Sequence, residues 1–205
     1  MARFKSTTFG KISGKHGSAV AAVRKDGLCI LKVYRVAANP NTAGQKNQRA
    51  KFGFVMKQIN CMRSVFTKNF GGQYGINKVI ATAIKTAVVG EFPNYTFDYS
   101  KLFISSGGIF YASNINIKSA ENDCLIVSWS VDVTTYSSSS DKVNLVFLNP
   151  ETKSVVVRYE CAFLSDGKVK MEVPHLWLAS EIHAWMYLTS QDGKKQSISQ
   201  YITTV

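Results

Sequence analysis

The 205-residue sequence predicts an α+β protein with a basic N-terminal half and a C-terminal β-sandwich. Two patterns predict this fold: apolar residues recur every three or four positions up to residue 89, and they alternate with polar residues after Pro93. The third observation is an uneven distribution of charge along the chain. We therefore expect three parts, namely a basic glycine-containing arm and hairpin at 1–38, a two-helix segment at 39–92, and the sandwich at 93–205.

The chain starts with a segment that is too polar to form a core. Residues 1–18 are rich in Gly, Ser, Thr and Lys, which predicts a basic arm hinged at Gly10, Gly14 and Gly17. We expect these glycines to permit close approach of the backbone. Apolar, partly β-branched runs then flank Asp26-Gly27, a dipeptide typical of hairpin turns. The sequence predicts two strands here, at 18–24 and 28–36.

The middle part has the periodicity of helices. Asn41 or Thr42 can cap a first helix at 43–68, on which five apolar residues share a face: Phe52, Val55, Ile59, Met62 and Phe66. At about 100° per residue, Lys46, Lys57 and Lys68 align on the opposite face. Gly71-Gly72 ends this helix, and a second helix is predicted at 74–89 with Gly90 as its C-cap. We expect an antiparallel pair, packed on the β domain or on a neighbouring subunit.

Short strands follow Pro93, separated in several places by Gly, Ser, Asn-Pro or Asp-Gly turns. The predicted strands are 95–104, 110–117, 124–133, 143–148, 154–161, 168–173, 181–188 and 197–203. In the third, alternate residues share an apolar face, which puts Trp129 in the core: Leu125, Val127, Trp129, Val131 and Val133. This strand spacing is typical of a β-sandwich. A central Trp, later aromatic strands and no bridging Cys pair resemble an immunoglobulin- or fibronectin III-like sandwich without its disulfide.

The net charge of +12 is concentrated in the N-terminal half. Residues 1–90 hold 16 Lys and Arg against one acidic residue, Asp26, whereas residues 91–205 hold 9 Lys and Arg against 12 Asp and Glu. Such an excess indicates an anionic partner, which would be nucleic acid, an acidic membrane, or the acidic face of another protein or subunit. The alternative is a charge excess that only favours solubility, although solvated surfaces usually mix both signs.

The sequence offers few groups for catalysis. The segment from Gly10 to Gly17 has three residues, not four, between its first two glycines, and His16 stands where a phosphate loop needs Ser or Thr. The histidines lie in different segments without metal-ligand spacing, and we expect His175 and His183 to be structural. We therefore expect no enzymatic activity, no cofactor, no metal and no small-molecule substrate.

The lack of targeting signals and the wide spacing of the cysteines predict a cytoplasmic protein. No apolar run is long enough to span a bilayer or to form the core of a secretory signal, so we expect no membrane partner. The four cysteines are far apart and form no C-x-x-C pair, which predicts reduced thiols: Cys29, Cys61, Cys124 and Cys161.

Three segments together carry a family resemblance: Gly10-Lys-Ile-Ser-Gly-Lys-His-Gly17, Asn47-Gln-Arg-Ala-Lys-Phe52, and Gly90-Glu-Phe-Pro-Asn-Tyr-Thr-Phe-Asp-Tyr-Ser-Lys101. They resemble a family of bacterial proteins of about this length, mostly from Bacteroidetes, catalogued as a domain of unknown function. The chain departs from that family at Lys11, where a second glycine is usual. The resemblance implies an N-terminal glycine motif, helices and a β domain, and it brings no activity or catalytic residue.

We expect a non-enzymatic structural protein that forms a homo-oligomer or a larger particle, such as a bacteriophage virion, through its N-terminal arm. Its partners would be copies of itself or other subunits of the assembly. The alternative is a sequence-nonspecific nucleic-acid-binding protein, in which Lys32, Arg35 and Lys51 add phosphate contacts and Phe4, Phe9 and Tyr34 can stack on bases. An adhesin-like sandwich ranks third, because signal sequence and disulfides are missing. The residues predicted to meet an anionic partner are Arg3, Lys5, Lys11, Lys15, His16, Arg24, Lys25, Lys46, Arg49, Lys57 and Lys68.

Overall fold

A computed structural model describes residues 2–4, 10–36, 38–109, 112–120, 124–131, 138–174, 177 and 182–203. Within these residues the chain forms thirteen strands and three α-helices. The chain divides into two compact units, Met1–Thr42 and Ala43–Val205.

The first unit is a four-stranded antiparallel sheet, here called the N-terminal sheet. Its strands are β1 (Ala2–Phe4), β2 (Gly14–His16), β3 (Ala19–Val23) and β4 (Cys29–Val33), in the order β1-β4-β3-β2. The β3–β4 pair confirms the predicted hairpin around Asp26-Gly27.

The predicted arm takes part in this sheet. Residues 2–4 pair with β4, and residues 14–16 pair with β3. An isolated hairpin has two open edges with unpaired N–H and C=O groups, and the two ends of the arm satisfy them. Residues 5–9 lie outside the described residues.

The first predicted helix is interrupted. It consists of α1 (Ala43–Ile59), a 3₁₀ turn (Asn60–Met62) and α2 (Arg63–Phe70). Side chains advance by about 120° per residue in a 3₁₀ turn and by about 100° in an α-helix, so three such residues rotate α2 by about 60°. The prediction of one continuous helix at 43–68 was therefore wrong at residues 60–62. The predicted end of this helical region at Gly71-Gly72 was correct, since Gly71 has a left-handed φ of 73° and its N–H donates to the Thr67 carbonyl at 3.2 Å.

The second predicted helix is confirmed as α3 (Gly72–Thr86), but it ends earlier than expected. The chain then forms a small hairpin, β5 (Val88–Glu91) paired with β6 (Asn94–Phe97). Gly90 was wrongly predicted as a C-cap. It lies in β5 with a φ of 94°, where a Cβ would lie 2.6 Å from the Asn94 carbonyl oxygen.

The remaining strands form two antiparallel sheets. The outer sheet has the order β11-β8-β7, and the central sheet has the order β10-β9-β12-β13. The strands are β7 (Ser113–Ala120), β8 (Cys124–Ser130), β9 (Lys142–Asn149), β10 (Ser154–Phe163), β11 (Lys168–Glu172), β12 (His183–Thr189) and β13 (Gln200–Thr203).

The central sheet is buried on both faces. One face shares an apolar core with the outer sheet, in which Phe147 and Met186 meet Val127 and Trp129. The other face packs against the helices, where Trp185 and Tyr187 meet Phe66 and other apolar helix residues. Consequently every residue of β12 is buried, and this strand lacks the polar alternation of a half-exposed strand. The helices thus pack on the β domain, one of the two expected arrangements.

Most of the predicted strands are confirmed, with their ends shifted by a few residues. The strand at 95–104 was wrong beyond Phe97, because Asp98 caps a 3₁₀ turn at Tyr99–Lys101 by accepting the Ser100 N–H at 3.1 Å. Trp129 is in the core as predicted. Val131 is not, since it follows the end of β8 and is 43% exposed. Val133, residues 110–111 and His175 lie outside the described residues.

Candidate functional site

The register of the N-terminal sheet divides its side chains between two faces. Directly paired residues of antiparallel strands point to the same side, so Lys15, Val20 and Lys32 form one row. Alternation along β4 puts Ile30 and the following Tyr34 on that side as well. We call this the basic face: Lys15, Val20, Ala22, Ile30, Lys32 and Tyr34. The opposite side is the apolar face: Ala19, Ala21, Val23, Cys29, Leu31 and Val33.

The basic face combines exposed cations with an aromatic ring. The Lys15 Nζ lies 3.9 Å from the centroid of the Tyr34 ring. Lys15 and Lys32 are both exposed and stand two strand spacings apart, about 10 Å. Arg3 is opposite Ile30 in the register of β1 and β4. Such a surface can contact phosphate or carboxylate groups, and the ring adds a cation–π or stacking contact.

The apolar face is only partly covered. Ala21 and Cys29 are buried, whereas Leu31 is 36% exposed and Val33 is 73% exposed. Antiparallel sheets commonly pack one apolar face against other protein atoms. The Val33 end of this face is therefore open to a further surface.

The other predicted contact residues of the first unit lie around this sheet. Arg24 forms an exposed ion pair with Asp26 at 3.5 Å in the hairpin loop. Lys11, His16 and Lys25 are exposed, and Lys5 lies outside the described residues.

The three predicted hinge glycines all have positive φ, at 61° for Gly10, 108° for Gly14 and 58° for Gly17. Among the residues that the structure describes, no atom lies within 4 Å of a Cβ built on any of them. These backbone conformations are ones that glycine adopts readily, and the role of the three glycines as hinges that allow close approach to a partner stays a prediction.

The lysine stripe of the helices is not continuous. Lys46, Arg49 and Lys57 are exposed on α1. Lys68 belongs to α2, and its Nζ lies 3.2 Å from the centroid of the Tyr159 ring on β10. Residues 43–90 nevertheless hold eight Lys and Arg and no acidic residue, so the helices are cationic.

Polar and aromatic side chains form a packed cluster between helix α1 and the central sheet. The His183 Nδ1 lies 2.7 Å from the Tyr201 hydroxyl, and the His183 ring stacks on Tyr99 at 4.2 Å between centroids. Burial raises the pKa of Tyr99 to about 12 and also raises the pKa of the Cys61 thiol. Both groups therefore keep their protons at neutral pH.

In the part of the chain that the structure describes, no three His, Cys, Asp or Glu residues are grouped so as to hold a metal ion. Over the same residues, no helix combines the length and apolar character that crossing a bilayer requires.

A protein-family model matches residues 11–203. The chain belongs to DUF6266, a family of unknown function. This confirms the resemblance carried by the three sequence segments, while an origin in Bacteroidetes stays a prediction. No protein with a curated description matches this DUF6266 chain. Among solved structures, it is similar to the fn3 domain of human collagen alpha-1(XX) chain, with 16% identity over 48% of this chain and 86% of that chain, and a TM-score of 0.32.

Sequence reasoning on this DUF6266 chain missed the apolar face. The signal was present, because Leu31 and Val33 alternate with Lys32 and Tyr34. Alternation of this kind separates an apolar side from a polar side of a strand. Together with the strand register, this alternation defines both the basic face and the apolar face of the N-terminal sheet.

Proposed function

We propose that this protein is a non-enzymatic structural protein, which assembles in the cytoplasm into a homo-oligomer or a larger particle such as a bacteriophage virion. The observation that supports this is the open apolar face of the N-terminal sheet. Full burial of one exposed Leu or Val side chain contributes about 1.5–3 kcal/mol. Leu31 and Val33 thus favour a contact with another subunit, although association costs several kcal/mol and needs additional surface.

The chemistry of the sheet sets the kind of partner. A second copy can present the same apolar face, as in an isologous contact. An acidic subunit of the assembly can meet the basic face on the other side. The contact surface in this proposal is the whole N-terminal sheet, which includes both ends of the predicted arm.

A matched pair of full-length variants tests the assembly. Val33→Lys puts a charge on the apolar face, and Ala22→Lys adds the same charge at an exposed position of the basic face. Light scattering measures the molecular mass at low and high salt, with and without nuclease, together with the 260/280 nm absorbance ratio. We expect a salt-stable, nucleic-acid-free oligomer for the wild type and Ala22→Lys, and a lower mass for Val33→Lys. Equal masses for all three proteins, or a monomeric wild type, would contradict the proposal.

Nucleic-acid binding is the second candidate, and the placement of Lys15, Lys32 and Tyr34 on one face favours it. Phosphate contacts release counterions, so affinity would fall steeply with salt. A ring beside two cations suits a single strand, whose bases can stack on it. Without a base-reading module, binding would be independent of sequence.

Charge reversal on the basic face tests this candidate. The double variant Lys15→Glu with Lys32→Glu should weaken binding to a labelled single-stranded oligonucleotide and reduce the slope of log affinity against log salt by about 2. The control reverses Lys168 and Lys170, which are two exposed lysines on one face of β11, about 7 Å apart. Equal effects of both pairs, or no binding at low salt, would rule this candidate out.

We also infer that the two sheets after residue 112 form an immunoglobulin- or fibronectin III-like sandwich. In an immunoglobulin constant domain, strands A, B, E and D form one sheet and C, F and G the other. Assigning β7 to β13 in chain order makes the outer sheet E-B-A and gives the central sheet a fourth strand beside C. Backbone NOEs between Val157 and Val146 test that fourth-strand pairing, and their absence would contradict it.

A further inference from the structure

The β5–β6 hairpin presents an acidic and aromatic tip. Glu91 pairs with Asn94, so Phe92 and Pro93 form the turn between the strands. Phe92 is 51% exposed, and Glu91 beside it is exposed as well. Glu91 is the only acidic residue between positions 27 and 97. The ion pairs formed among the described residues do not include it.

The same unit contains an apolar pocket of about 270 Å³ between α3 and the segment at 102–106. Its buried lining residues include Val79, Ala83 and Leu102, which form the floor. The exposed members around them are Lys78, Thr82, Lys101, Phe103, Ser106 and Ile198. Because these residues come from three distant segments, no local sequence pattern indicates this pocket.

The size and exposure of the pocket favour a protein side chain as its occupant. An apolar cavity of about 150 Å³ is enough for a benzene ring, whereas drug-sized ligands occupy about 300–1,000 Å³. A phenylalanine side chain therefore fits within 270 Å³. The exposed Phe103 and Ile198 at the rim can cover the base of such an inserted side chain, as the residues around an interface anchor do.

The charge around the pocket restricts the occupant further. Lys78 has no carboxylate partner among the described residues, whereas Lys101 pairs with Asp98 at 3.0 Å. The helices around them carry no acidic residue, so a favourable occupant has a carboxylate next to its apolar group. The hairpin tip has that combination, whereas the exposed Phe52 and Tyr74 stand on the cationic helices. Phe163 has acidic neighbours, but it is paired with Lys142 of β9 at the end of β10, so the end of this strand pair would have to enter with it.

We propose that Phe92 of one copy inserts into this pocket of a second copy, with Glu91 next to Lys78. This inference rests on the proposed assembly and specifies one of its contacts. The tip and the pocket are different surfaces, so the contact is heterologous and propagates into a closed ring or an open filament.

Photocrosslinking tests the contact directly. A benzoylphenylalanine at position 92 of the full-length protein should crosslink to peptides of the pocket, from α3 or from residues 101–106. Mixing isotopically light and heavy copies identifies crosslinks between molecules by mass spectrometry. The control carries the same group at position 52, an exposed phenylalanine outside the tip. Crosslinks from position 92 that are absent, only intramolecular, or directed elsewhere would overturn the proposal.

Matched substitutions measure the strength of the contact. Phe92→Ala should weaken association by about 30-fold or more, as expected for a truncated aromatic anchor, and Phe52→Ala should not. Thr82→Trp should block the pocket, whereas Ala81→Trp, on the exposed side of the same helix, should leave association unchanged. Glu91→Lys and Lys78→Glu should each weaken association, and their combination should restore it. Equal effects of Lys78→Glu and Lys85→Glu would contradict a specific pairing.

The outcomes separate this contact from the sheet contact. A lower mass of Val33→Lys without position-92 crosslinks leaves the proposed sheet contact standing and removes the tip contact. Position-92 crosslinks together with an unchanged mass of Val33→Lys leave the tip contact standing and remove the proposed sheet contact.

Discussion

Gly75 of α3 lies directly against Phe70, the last residue of α2. A Cβ at this position would lie 2.2 Å from the Phe70 carbonyl oxygen, a distance that the backbone cannot accept without moving. Gly53 in α1 has the opposite environment, because a Cβ there would meet no atom of the described residues within 4 Å. Close packing against Phe70 thus requires glycine at position 75, whereas no neighbouring atom requires it at position 53.

The pair predicts opposite effects of the same substitution. Gly75→Ala should destabilise the protein by about 1–3 kcal/mol, since the methyl group overpacks against backbone. Gly53→Ala should stabilise it by about 0.5–1 kcal/mol, since alanine restricts the unfolded chain and favours the helix. Urea unfolding followed by circular dichroism measures both changes. A neutral Gly75→Ala would show that the helix end relaxes without cost.

Single residues differed in how far sequence predicted them. The hairpin turn at Asp26-Gly27 and the core position of Trp129 were predicted correctly, because a turn type and strand alternation depend on neighbours in the chain. The alignment of Lys68 with Lys46 and Lys57 was not predicted correctly, because the direction of the Lys68 side chain depends on the 3₁₀ turn that precedes α2. Its contact with Tyr159 joins residues that are far apart in sequence.

At the scale of elements, the break between α1 and α2 changes what the helices present. Met62 within the turn and Val65 and Phe66 after it are fully buried. The rotated α2 therefore keeps its apolar side on the central sheet and brings Lys68 onto β10. Lys57 stays on the solvent side of α1.

This difference predicts unequal roles for the two lysines. Lys68→Ala removes the ammonium group over Tyr159 and should cost about 0.5–1 kcal/mol of stability. Lys57→Ala should change stability by less than about 0.5 kcal/mol, as is usual for exposed positions. Thermal unfolding of both variants and of Lys68→Arg, which keeps the charge, makes the comparison. A cost that is the same for both alanine variants would contradict a specific contact.

Elements with regular periodicity were predicted well, and those shaped by side-chain hydrogen bonds were not. Residues 102–104 include the buried Leu102 and Ile104 and were expected to continue the strand predicted at 95–104. Their backbone instead uses side chains, since the Ile104 N–H donates to the Ser199 hydroxyl at 2.9 Å and the Ile104 carbonyl accepts from Asn69. These partners come from the other end of the chain and from α2.

For the whole molecule, the apolar cores belong to one unit. Both hydrophobic clusters are built from residues between Val55 and Ile202, which all lie in the unit from Ala43 to Val205. In the first unit, Ala21 and Cys29 are the buried apolar residues among those described. A chain of about 40 residues rarely buries enough surface to fold alone.

We therefore expect the fragment 43–205 to fold alone and the fragment 1–42 to remain unfolded. The first should unfold cooperatively and give dispersed amide resonances, and the second should give a narrow amide range. An intact chain cut between residues 38 and 43 provides the control, because it contains both parts in equal amounts. A folded fragment 1–42, or a molten fragment 43–205, would contradict this division.

The sequence by itself determined the local features of this protein: the basic half, the Asp-Gly hairpin, the existence of two helical regions, most strands and the family. These follow from neighbouring residues, through turn chemistry, period and composition. Only the tertiary structure decided that the arm completes a sheet, that the helices cover the central sheet, and that a pocket forms between α3 and residues 102–106. Those features depend on open sheet edges and apolar surfaces contributed by distant segments, which no local pattern in the chain contains.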